Sequence, residues 1–114
     1  MNIDNMKRLA QALTEGLPNV TFDIGVGQRT EDDGTVSCCI AGFAALLDNN
    51  MQPFEPSPGQ GGEARWQTVE EFALKSLGLT QGQGRRLFHS HPSTPQQAAQ
   101  AVQNLIEGRD PWTS

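Results

Sequence analysis

Met6, Leu9, Ala10 and Leu13 recur at i, i+3, i+4 and i+7, which predicts a helix over residues 4–15. Asp4 is placed to cap its start, and Gly16 followed by Pro18 ends it. Val20, Phe22 and Ile24 then alternate with polar residues and predict one short extended segment. Residues 25–34 lack any such alternation and read as a solvated loop carrying Glu31, Asp32 and Asp33. Three adjacent carboxylates suit a hard cation, but the ligand spacing of a calcium-binding loop is missing. Residues 38–47 are apolar on every face, the pattern of a buried central helix, with Thr35 or Ser37 as its cap. Gly42 is costly in a helix interior and implies that a neighbouring helix approaches closely there.

Residues 49–64 show no period and are rich in proline and glycine, so they are expected to form one long loop, either a partner-binding segment or a disordered one. Beyond it, Thr68 and Glu71 have the spacing of a capping box, opening a helix that buries Val69, Phe72, Ala73 and Leu77 and stops at Gly78. A shorter helical turn follows over residues 80–88. Thr94, Pro95 and Gln97 then announce a last helix burying Ala98, Ala101, Val102, Leu105 and Ile106 and ending at Gly108. The expected fold is mainly α: a compact single domain, residues 1–114, around a buried central helix, with at most one or two short β-strands.

With 114 residues, the chain has room for one hydrophobic core. Its net charge of −5 and scattered Lys and Arg disfavour nucleic acid, whose phosphates require clustered cations. An acidic chain can bind a basic protein or imitate a polyanion, and a modest negative charge first of all keeps a small protein soluble. No apolar run is long enough for a membrane helix, and no secretory leader is visible, so a cytoplasmic location is expected. Cys38 and Cys39 are neighbours, and a disulfide between adjacent residues is strained, which leaves two free thiols.

The chain's only two histidines stand in His89-Ser90-His91-Pro92. This tetrapeptide resembles the metal-binding motif of the JAMM metalloproteases, and the resemblance implies zinc chemistry at His89 and His91. That family also needs a Ser and an Asp at fixed spacing, and here those positions are Ala99 and Val102. The third ligand is therefore missing, and no metal or other cofactor is expected. A second possibility is thiol catalysis. Cys38 at the start of the apolar helix has a thiolate favoured by the dipole, and His89 or His91 is the candidate base. Without the accompanying motifs of papain-like enzymes, the two cysteines read first as small apolar packing residues.

A longer resemblance joins the run from Gly34 to Ala44 with Ala73, Leu77-Gly78-Leu79-Thr80, Leu87-Phe88 and Thr94-Pro95-Gln96-Gln97-Ala98-Ala99. Gly108 and Trp112 complete it. In this ordered set the chain resembles a family of small uncharacterised proteins from bacteria and their phages. The resemblance implies a fold and assigns no reaction. Asp33 departs from the cysteine usual there, which removes a paired-cysteine site, and the histidines fall in a stretch without a shared motif. The expected role is non-enzymatic: a small accessory or inhibitory protein, encoded by a phage or mobile element, that binds another macromolecule, a protein partner above all. A Cys38-based Cys-His hydrolase is the alternative, and a metal site at His89 and His91 comes after it.

Overall fold

The computed structural model describes residues 1–59, 61–89 and 94–112. The N-terminal apolar stripe forms α1 (Ile3–Glu15), burying Met6, Leu9, Ala12 and Leu13. Asn2 is its cap, its side chain accepting the Asn5 N–H at 3.1 Å, while Asp4 sits inside the first turn. At that position its carboxylate complements the positive end of the helix dipole.

Three short strands follow: β1 (Val20–Phe22), β2 (Gln28–Thr30) and β3 (Val36–Cys38), arranged in the order β1-β3-β2. The central strand β3 runs parallel to β1 and antiparallel to β2. The alternation predicted only β1 of these: β2 lies in the segment expected to be a loop, and β3 in the stretch expected to cap and begin the apolar helix. Gln-Arg-Thr carries no apolar alternation; its extended form is imposed by pairing. On its far side Thr30 N–H donates to Gly62 C=O (2.9 Å), and Ala64 N–H donates to Gln28 C=O (2.8 Å).

The apolar run divides between strand and helix. Cys38 ends β3, Cys39 is the N-cap, and α2 spans Ile40–Asp48 with every residue from Ile40 to Leu46 buried. Neither Thr35 nor Ser37 caps it: Thr35 donates its hydroxyl to Asp33 (2.6 Å), and Ser37 lies within β3. The close approach expected at Gly42 is real, but its partner is a loop. A Cβ there would lie 1.9 Å from the Gly27 carbonyl oxygen.

Three further helices complete the fold: α3 (Trp66–Leu77), α4 (Gln81–Phe88) and α5 (Pro95–Ile106). α3 starts before Thr68, with Arg65 as N-cap and no side-chain cap, so the expected Thr68–Glu71 box does not open it. The Ala64 bond to β2 delivers the chain into the helix three residues early. In α4 and α5, Thr80 with Gln83 and Thr94 with Gln97 form complete capping boxes. α1 packs along α5, and α2 lies between α1 and α3, so α2 is central. The radius of gyration is 12.9 Å, close to the roughly 13 Å of a compact chain of this length. The architecture is mainly α with a small sheet, and no helix among the described residues is long and apolar enough to cross a membrane.

Candidate functional site

Both thiols lie in the core, Cys38 at 0% and Cys39 at 1% exposure. Burial pushes the Cys38 thiol up to about 12, and the neighbouring Cys39 adds to the rise. Burial likewise pushes Cys39 up to about 11, although the Gly42 and Ala41 N–H groups pull the other way, and the Glu70 carboxylate raises it further. The helix N-terminus expected to activate Cys38 therefore faces Cys39, and desolvation outweighs it. Both sulfurs are free and protonated near neutral pH.

These shifts give stability a pH dependence. A thiol whose folded pKa lies above its unfolded value of 9.0 contributes full stability below pH 9 and loses it as pH rises towards 11 or 12. Each thiol should cost up to about 1.4 kcal/mol per pH unit within that window. Denaturant unfolding at pH 8 and pH 10 should show a drop that is smaller in a Cys38→Ala, Cys39→Ala variant. An equal drop in both proteins would contradict the burial argument.

His89 is the C-cap of α4, and its Nε2 stands 2.9 Å from Glu70 Oε1. Its ring meets the Trp66 ring edge-on, with centroids 5.3 Å apart. Trp66 and Glu70 are one helical turn apart on α3, which sets both toward the end of α4. Among the described residues no group of three or more His, Cys, Asp or Glu is placed to hold a metal. His91, the other candidate base and ligand, lies outside the described residues. Glu70 and Trp66 were not singled out from the sequence, because the helix expected to open at Thr68 left Trp66 outside it.

Trp66 also lines a cleft of about 430 Å³ between residues 25–27 on one side and Ser57, Pro58 and residues 63–66 on the other. The second wall is the end of the long 49–64 segment, which is anchored to the body. Gln28, only 2% exposed, donates through Nε2 to Gly42 C=O (3.1 Å) and accepts the Phe54 N–H at Oε1 (2.8 Å). Phe54 packs edge-on against Phe72, with centroids 5.1 Å apart. Ser57 N–H donates to Glu63 C=O (2.8 Å), and Arg29 bridges to Glu63 across the β2 edge. The segment expected to be a long loop is thus irregular but fastened, with Pro56, Pro58 and Met51 exposed on its outside.

Charge gathers beside the same cleft. The Arg29 guanidinium faces three carboxylates: Glu31, Glu63 at 3.7 Å and Asp23 at 3.8 Å. These contacts, led by the Glu31 hydrogen bond, raise its pKa. Asp32 and Asp33 are exposed in the next turn, and the Thr35 hydroxyl and N–H hold the Asp33 carboxyl below its usual range.

No protein-family model, curated protein or solved structure matches the chain.

Proposed function

We propose that the protein is a small, non-enzymatic, cytoplasmic accessory or inhibitory protein of a phage or mobile element that acts by binding another protein, and that the partner seats on the cleft between residues 25–27 and Ser57, Pro58 and residues 63–66. The observation that carries this reading is the fastening of the 49–64 segment. A loop that is anchored by a buried glutamine amide, an aromatic contact and backbone bonds, yet presents prolines and a methionine outward, is a pre-organised surface rather than slack chain. Trp66, Arg65 and Pro58 at the cleft are also residue types that suit an interface, with Trp and Arg common among binding hot spots. The burial of both thiols supports binding over hydrolysis at Cys38.

Immobilised protein should retain a partner from an extract of its native host. A Pro58→Arg variant with unchanged melting temperature should lose that partner, whereas Gln11→Arg, on the α1–α5 side, should keep it. Retention by both variants would place the interface elsewhere.

A further inference from the structure

The chain carries 13 carboxylates and 8 Lys or Arg. Five of those carboxylates, Asp23, Glu31, Asp32, Asp33 and Glu63, belong to the Arg29 cluster and the turn that continues it. One guanidinium neutralises one of them, so four negative charges remain there. The other eight carboxylates and seven cations nearly cancel. With Arg65 of the adjoining cleft counted on this side as well, three of the five net negative charges fall here.

That face is continuous with the cleft, because Glu63 both faces Arg29 and lines the cleft beside Trp66, Pro58 and Val26. The side chains of Asp23, Glu31 and Glu63 are each a third or more exposed, so their carboxylates are within reach of a ligand. Apolar walls next to uncompensated carboxylates match a ligand with an apolar stem and a cationic head, the build of arginine and lysine side chains.

We infer that the cleft takes an arginine- or lysine-rich segment of a partner protein, its stems lying along Pro58, Val26 and Trp66 and its charged heads reaching Glu63, Asp23 and Glu31. This rests on the binding role proposed above and names the chemistry of the partner. Phosphate-bearing polymers are repelled by the same face. The juxtaposition of a walled cleft with most of the molecule's charge excess carries the inference; the carboxylates alone would not.

The test is a titration of the full chain, isotopically labelled, with hexa-arginine peptide at low salt and again at high salt. Amide shifts should concentrate in residues 23–33 and 57–66 and vanish at high salt. An Asp23→Asn, Glu63→Gln variant should bind roughly tenfold more weakly, with Glu15→Gln, Glu107→Gln as the distal control at full affinity. Shifts scattered over the surface, or equal weakening by the distal control, would overturn the inference. So would spermidine or calcium producing the same shifts at the same concentration, since that would mark a general cation site. If a partner recovered through the cleft contacts it with a segment lacking Arg and Lys, the binding reading stands and this inference falls.

Discussion

Replacing Gly42 by alanine should destabilise the fold by about 3 kcal/mol. The added Cβ would sit 1.9 Å from the Gly27 carbonyl oxygen and 2.8 Å from the Cys38 Cβ, far inside van der Waals contact. No side-chain rotation relieves this, because the principal clash is with backbone. The 25–27 loop is pinned there by the Cys39 N–H donating to Val26 C=O at 2.8 Å. Overpacking in a closed core costs about 1–3 kcal/mol and sometimes more, and rigid backbone puts this site at the upper end. A fall in melting temperature of roughly 15 °C is expected, read by circular dichroism. A shift under a few degrees would show that the loop moves freely away from α2, and with it one wall of the cleft.

The second large effect is expected at Gln28. Its amide joins two parts of the molecule, the middle of α2 through Gly42 C=O and the 49–64 segment through the Phe54 N–H. Gln28→Leu keeps much of the volume but strands both backbone groups, each costing about 1–3 kcal/mol when buried without a partner. A total loss of about 2–4 kcal/mol is expected, measured by denaturant unfolding. Hydrogen exchange should add a local signature. The Phe54 amide should exchange much faster in the variant, while Ala98 and Val102 in α5, far along the core, report only the global loss. If Phe54 stays as protected as in the parent protein, the segment is not fastened in the way described.

Much of this fold could be read from the chain because several signals were local. The α1 stripe needs only its own spacing, and Thr94-Pro95-Gln96-Gln97 combines a capping hydroxyl, a proline at the first turn and a reciprocal glutamine. What could not be read depends on distant partners. In β2, Gln28 points inward yet is polar, and only Gly42 and Phe54, neither of them local, make its burial tolerable. Cys38 and Ile40 are buried alike, one in a strand and one in a helix, so apolar character could not place the boundary between them. α3 takes Arg65 rather than Thr68 as its N-cap because Ala64 is tied to β2, a contact no capping rule contains.

The same distinction governs the candidate site. His89 was conspicuous, but its partner Glu70 lies nineteen positions away and is brought to it by the packing of α3 with α4. Residues 31–33 looked like a solvated acidic turn, and Asp32 and Asp33 are exposed. Their significance comes from Asp23 and Glu63, which the fold gathers around Arg29 from either side of them in sequence. Cys38 drew attention as the start of an apolar helix, whereas the strand ends there and Cys39 takes the cap.

The most direct measurement is photo-crosslinking from inside the cleft. A photoreactive amino acid placed at Ser57, activated in an extract of the native host, should couple to one partner, and excess unlabelled parent protein should suppress that product. The same group at Gln11 should give none. Equal products from both positions, or a product only from Gln11, would contradict the claim that this protein works by presenting the cleft beside its fastened segment.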